Sequence, residues 1–118
     1  MPIASNGSKF TTDITAVGNS DTDCYLVPKN HVSHVRHLLL TNSNASARTF
    51  TIKIYEKVPN TTTTILSEHS LATKTAESVF TMDKPIILKS EDKIVIAASA
   101  ASSIVCVVSA EEFFDPNV

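Results

Sequence analysis

The sequence predicts an all-β protein with a jelly-roll-like antiparallel β-sandwich of about eight strands. Apolar and polar side chains alternate strictly from Thr49 to Tyr55, which is the two-residue period of a strand with one buried face. Threonine and serine each occur 14 times in 118 residues. Threonine suits pleated, half-buried surfaces and serine suits turns. Short extended runs at regular spacing, without a convincing helix, are typical of a sandwich or barrel.

The most regular stretch runs from His31 to Tyr55 and is interpreted as a central β-hairpin. Its first half, Val35 to Thr41, contains three successive leucines, and its second half is the alternating run that ends at Tyr55. Residues 42–47 between the two halves are small and polar, which is the composition of a turn. The prediction is that the two halves pair with each other.

The other strands are predicted from β-branched or alternating runs that are bounded by turn-forming residues. Pro28 has no amide hydrogen and therefore ends the strand that precedes it. The last two runs are apolar on both faces, which predicts a central place in a sheet or a subunit contact. In order, the predicted extended segments are Lys9–Ala16 (a short edge strand), Cys24–Val27, Val35–Thr41, Thr49–Tyr55, Thr61–Leu66, His69–Thr73, Glu77–Phe80, Ile86–Leu88, Lys93–Ala98 and Ile104–Ser109.

A chain of 118 residues is expected to form one domain with a working core. We divide it into an N-terminal arm with a candidate edge strand (1–22), a β-sandwich domain (23–112) and a C-terminal tail (113–118). The first residues lack the charged and apolar parts of a secretory signal, which favours synthesis in a cytoplasm.

Charge and hydropathy argue against nucleic acid and membranes as partners. The formal net charge is −2 and no basic cluster is visible, whereas phosphate binding needs clustered Lys and Arg. No run of about 18 apolar residues exists to span a bilayer.

The two cysteines, Cys24 and Cys106, are 82 positions apart. A reducing cytoplasm favours free, buried thiols. Because the first and last strands often pair in β-sandwiches, the alternative that the two cysteines are neighbours stays open.

Two groups of residues invite a chemical role and are interpreted as structural. On a regular strand His34 faces away from His31 and His37, which are about 20 Å apart at ~3.3 Å per residue, so no metal site is predicted. A symmetric oligomer that gathers copies of one histidine is the remaining alternative. The run from Ser67 to Ser70 has the residue types of a hydrolytic triad, but its side chains alternate in direction and no nucleophile elbow is present. We therefore expect no catalytic residue and no cofactor.

The tail contains an aromatic pair, Phe113 and Phe114, beside acidic residues. The pair either packs on the domain's own core or docks on a neighbouring subunit, since terminal segments often reach other chains. In the second case Phe113 and Phe114 are the partner contact.

Residues 23–112 also resemble a group of small structural proteins from tailed bacteriophages. The shared features are a Val-Pro turn, a Val/Leu strand that ends in Thr-Asn, a polar loop, a Thr-rich alternating strand, an Asp-Lys strand, an Ala/Ser loop and a Val-rich final strand. Glu91 stands where the group commonly has glycine, which leaves the geometry of that turn open. The segments that carry the resemblance are Tyr25–Asn30, Val35–Asn42, Thr49–Tyr55, Asp92–Ile96, Ser99–Ser103 and Ile104–Val108.

The resemblance implies a virion protein without catalysis or cofactor: a decoration (cement) protein on the head, or a neck or tail accessory. We expect a homo-oligomer, with a trimer favoured, that bridges neighbouring subunits such as the major capsid protein. The expected location is the virion, after synthesis in the host cytoplasm. The rival interpretation is a carbohydrate- or receptor-binding module. Sugar binding uses exposed aromatics, and the chain has no Trp and only Tyr25 and Tyr55.

Overall fold

The computed structural model describes residues 8–81, 85–100 and 104–117. Parts of the predicted arm, of the Ala/Ser loop at 99–103 and of the tail lie outside these residues. In the described ranges no helix is long and apolar enough to cross a membrane. The strands are β1 (Ser8–Val17), β2 (Thr22–Leu26), β3 (His31–Asn42), β4 (Arg48–Glu56), β5 (Thr61–Leu71), β6 (Thr75–Phe80), β7 (Ile86–Leu88), β8 (Lys93–Ala98) and β9 (Ile104–Phe114).

The strands form two antiparallel sheets. The first sheet has the order β1-β9-β3-β6. β6 pairs with the C-terminal half of β3, and β7 pairs with the N-terminal half of β3 along the same edge. The second sheet has the order β2-β8-β4-β5. With β6 and β7 counted as one interrupted strand, each sheet has four strands, which is the arrangement of a jelly roll. The predicted fold class is confirmed.

The predicted central hairpin is wrong, because its two halves lie in different sheets. β3 pairs with β9 and with β6 and β7, while β4 pairs with β8 and β5. The connection between them crosses from one sheet to the other. The buried side chain of Asn42 holds the crossing: its Nδ2 donates to the carbonyl oxygens of Ser46 at 3.0 Å, Leu71 at 3.2 Å and Ala72 at 3.3 Å.

The core lies between the two sheets and is built largely from alternating residues of β3, β4 and β9. The alternation predicted in β4 is confirmed, since its three apolar side chains are buried and its polar ones are not. β8 and β9 occupy central positions, as their apolar composition predicted. The largest fully buried side chains are Phe50, Leu38, Leu40, Ile52, Ile94, Ile96, Ile104, Val17, Val27, Val35, Val108 and Asn42.

Bulges change which side chains face the core. In β2 the register with β8 shifts between Asp23 and Tyr25, so Cys24 and Tyr25 are consecutive and both buried. In β3 the register with β9 shifts between Val35 and His37, and the extra residue resets the alternation. His34 and His37 therefore lie on one face of β3, contrary to the expectation for a regular strand.

Bulges also explain the long strand β5. The segments predicted at Thr61–Leu66 and His69–Thr73 are largely the two halves of one strand, and its register with β4 shifts twice. Glu68, between the halves, has a φ of 47°.

The turn before β8 has the geometry that glycine favours. Glu91 has a φ of 65°, which lies in the left-handed region. The buried carboxylate of Asp92 stabilises this turn, because it accepts hydrogen bonds from the backbone N–H groups of Lys89 at 2.9 Å and Lys57 at 3.0 Å.

The ends of the described chain belong to the first sheet. β1 lies within residues 1–22 and pairs with β9 over its whole length. β9 continues to Phe114, five residues beyond the predicted strand. The division into arm, sandwich and tail stays a prediction.

Candidate functional site

The face of the first sheet that points away from the core carries apolar side chains. On β9, buried residues alternate with half-buried ones, and on β1 the side chains of Phe10 and Ile14 are 72% and 71% exposed. Residues directly opposite each other in a sheet point to the same side, so the register assigns the members of this surface. We call it the outer face: Phe10, Thr12, Ile14 and Ala16 on β1; Val105, Val107, Ser109, Glu111 and Phe113 on β9; His34, His37, Leu39 and Thr41 on β3.

An apolar row crosses the middle of the outer face. Ile14 lies opposite Val107, and Val107 lies opposite Leu39. Neighbouring strands are about 4.8 Å apart, so the row is roughly 10 Å wide. An exposed apolar patch with a polar border is typical of a protein contact surface.

A charged group lies at one end of the outer face, opposite Phe10. Glu111 accepts hydrogen bonds from the hydroxyl of Ser8 and from the guanidinium of Arg36. The bond from Ser8, followed by the bond and charge of Arg36, holds the pKa of Glu111 below its usual range. Glu111 is therefore a fixed negative charge next to Phe10 on the outer face.

The aromatic pair lies at the end of β9. The ring of Phe113 is 4.8 Å from that of His34, measured between centroids. Phe114 is 57% exposed, and its ring is 5.6 Å from that of His31. Neither phenylalanine belongs to the buried core cluster. Their assignment as a partner contact stays a prediction.

A buried polar contact joins the two sheets, and the sequence analysis missed it. The hydroxyl of Tyr25 on β2 donates to Glu112 of β9 at 2.6 Å and lies 2.6 Å from the Ser33 hydroxyl on β3. Burial, then the bond to Glu112, raises the pKa of Tyr25. Glu112 is six positions after Cys106, and residues an even number of positions apart on a strand share a face. The expected burial of Cys106 could therefore have indicated that Glu112 also points inward.

Asp13 on β1 gives a pH-dependent prediction. Burial, then the nearby charge of Glu112, raises the pKa of Asp13. The folded state therefore binds this proton more tightly than the unfolded state, and its stability falls as the pH rises from 3.8 through the higher folded pKa. Asp13→Asn is expected to raise the urea midpoint at pH 7, and the gain is expected to disappear at about pH 3, where both states are protonated.

The control for Asp13 is Glu68→Gln, which neutralises an exposed carboxylate on β5. This control is expected to change the urea midpoint little at either pH. An Asp13→Asn gain of the same size at both pH values would contradict the role of the charge.

The histidines make separate local contacts. The Nε2 of His37 is 2.8 Å from the Ser78 hydroxyl, and that of His69 is 2.8 Å from Glu77. His69 also packs against Phe50 at 5.3 Å between ring centroids. Among the residues that the structure describes, no group of three or more His, Cys, Asp or Glu side chains is placed to hold a metal ion.

The solved structures that are similar to this chain include three that match it over at least 92% of its length. The first belongs to the Bacillus endospore appendages, described as disulfide-linked pili, with 13% identity and a TM-score of 0.54 over 98% of this chain and 97% of that one. The second is from the capsid of Helicobacter pylori bacteriophage KHP30, with 12% identity and a TM-score of 0.51 over 92% of this chain and 88% of that one. The third is the T13 viral particle of IBDV (11%, 0.51, 92% and 31%), so this chain spans about a third of that one. The similarity is one of fold. No protein family and no curated protein matches the sequence.

Proposed function

We propose that this chain is a structural protein of a phage virion, a capsid decoration (cement) protein that stabilises the particle by bridging neighbouring subunits. It acts without catalysis or a cofactor. It assembles with itself, as a trimer, and its other partner is the major capsid protein. The outer face carries the proposal, and the fold that the chain shares with the KHP30 capsid supports it.

The outer face favours a neighbour because it leaves large apolar side chains in water. Ile14 and Phe10 are more than 70% exposed, and covering a side chain of this kind stabilises a complex by about 1.5–3 kcal/mol. The Arg36–Glu111 ion pair, next to the exposed Phe10, supplies part of the polar border that specific interfaces have.

Phe113 and Phe114 extend the proposed contact. Phe113 belongs to the outer face, and the exposed Phe114 follows it at the end of β9. Aromatic side chains, including phenylalanine, are enriched in the cores of protein interfaces. We therefore assign the docking of this end on a neighbouring subunit to these two side chains.

Self-association tests the outer face directly. Ile14→Lys is expected to weaken association roughly tenfold or more, because burying an isoleucine contributes more than the 1.4 kcal/mol that corresponds to a factor of ten. The measurement is light-scattering mass across a concentration series, and three times the chain mass of 12.7 kDa supports the trimer. The control is Thr62→Lys on the exposed strand β5, which is expected to leave association unchanged.

Purified virions of the phage that encodes this chain test where the protein is located on the particle. A labelled antibody against the chain is expected to decorate the head, and added protein is expected to raise the temperature at which particles lose their contents. Labelling confined to the neck or tail would support the accessory role instead. A chain that stays monomeric and binds no particle would overturn the proposal.

A further inference from the structure

The thiols of Cys24 and Cys106 are neighbours across the two sheets. Cys24 lies in the bulge of β2 and Cys106 in β9, and both are free and buried. The side chains of Cys24 and Cys106 interact with each other, and both belong to the buried core cluster between the sheets. The Cys24 sulfur lies 3.5 Å from the carbonyl oxygen of Thr22, to which it donates. The two strands also approach within 8 Å between Cα atoms.

One of the two cysteines lines an open cleft. It has a volume of about 420 Å³ and lies between β1 and β2, the strands at the same edge of the two sheets. Cys24 lines this cleft together with Asp13, Thr15, Tyr25 and Leu26. Cys106 does not line it and is fully buried.

We propose that Cys24 and Cys106 are a thiol–disulfide pair that a small disulfide, such as oxidised glutathione, closes through this cleft. The Cys24 thiolate attacks one sulfur of the small disulfide, a mixed disulfide forms, and one small thiolate leaves. The Cys106 thiolate then attacks the Cys24 sulfur and displaces the second small thiolate. Two protein thiols are oxidised, one small disulfide is reduced to two thiols, and the two protons pass to the leaving groups.

The order of attack follows from the two environments. The interaction with the Cys106 side chain lowers the pKa of Cys24, and a thiolate is the attacking species. The interaction with Cys24 is also the main cause that raises the pKa of Cys106. Formation of the mixed disulfide removes the negative charge from Cys24, so Cys106 loses its proton more easily at the second step.

The closed bridge would connect the two sheets covalently, as the inter-sheet disulfide of antibody domains does. It stays open in a reducing compartment and closes in an oxidising one. Because the cysteines are 82 positions apart, the bridge restricts a long loop of the unfolded chain and is expected to raise the Tm by about 10 °C.

The test treats the full-length folded chain with oxidised glutathione at about pH 8, with a sample kept in dithiothreitol as the reference. The expected result is a chain that has lost two hydrogens in intact mass and is not covalently linked to another chain. Its non-reducing peptide map should link the Cys24 peptide to the Cys106 peptide. Cys106→Ala is expected to stop at one bound glutathione on Cys24.

Three results would overturn the proposal: disulfide-linked dimers, a stable mixed disulfide in the native sequence, or thiols that react only after unfolding. The peptide map of the native sequence decides the question even where the alanine variant fails to fold. This measurement does not depend on self-association. A negative result for the disulfide would therefore not affect the proposed virion role.

Discussion

Replacing Phe50 with alanine is expected to lower the free energy of unfolding by about 3–5 kcal/mol. Phe50 is 1% exposed and is among the largest fully buried side chains. It lies on β4 between β8 and β5, where the neighbouring strands limit how far the core can relax into the space left by the ring. Urea unfolding followed by far-UV circular dichroism gives the measurement.

The matched control is the same truncation at Phe114, which is 57% exposed. Phe114→Ala is expected to change the free energy of unfolding by less than about 0.5 kcal/mol, while it weakens the docking proposed for the end of β9. Similar losses of stability at both positions would contradict the separation between core and contact surface.

Replacing Asn42 with alanine is expected to cost about 2–4 kcal/mol, because one side chain satisfies several backbone groups at a buried position. Its Nδ2 lies within 3.3 Å of three carbonyl oxygens, and its Oδ1 accepts the N–H of Asn44 at 3.0 Å. These contacts join the end of β3 in the first sheet to the end of β5 in the second. Thermal and urea unfolding measure the loss.

The control for this substitution is Asn117→Ala, at an exposed position near the chain end. It is expected to leave stability within about 0.5 kcal/mol of the native value. If Asn42→Ala is equally mild, water replaces the side chain in the crossing and Asn42 does not hold the sheets together.

The alternation of apolar and polar side chains predicted the strands well, because each buried position along a strand requires an apolar residue. The alternation of β4 and the two-sided apolar character of β9 both follow from their places beside other strands. Pairing partners could not be predicted in the same way. A small polar connection such as residues 43–47 serves a hairpin and a crossing between sheets equally well, and the contacts of Asn42 that distinguish them involve residues about 30 positions away.

The bulges were the second feature that local pattern did not show. Regular alternation would place Tyr25 on the side opposite Cys24, and the bulge in β2 turns it inward to reach Glu112. The bulge in β3 likewise brings His34 and His37 to one face. A bulge depends on the register of two strands, which the sequence of one strand does not contain.

The candidate site was predictable in part. The apolar composition of both faces of β9 indicated either a central strand or a subunit contact, and the fold makes β9 central. The exposed side chains of β1 complete the outer face, because they lie in register with β9 although paired residues are roughly 90 to 105 positions apart in the sequence. The neighbouring positions of Cys24 and Cys106 likewise depend on the fold.

The position of β9 between β1 and β3 has a consequence for how the protein is made. A ribosome delivers β1 and β3 long before β9, and in the first sheet those two strands are joined only through it. Until the segment from Ile104 onward has left the exit tunnel, β1 has no partner in its sheet and the inward side chains of β3 lack one wall of their core. The nascent chain therefore has to stay unaggregated until this segment has emerged, and sheet closure then proceeds by slow, long-range pairing.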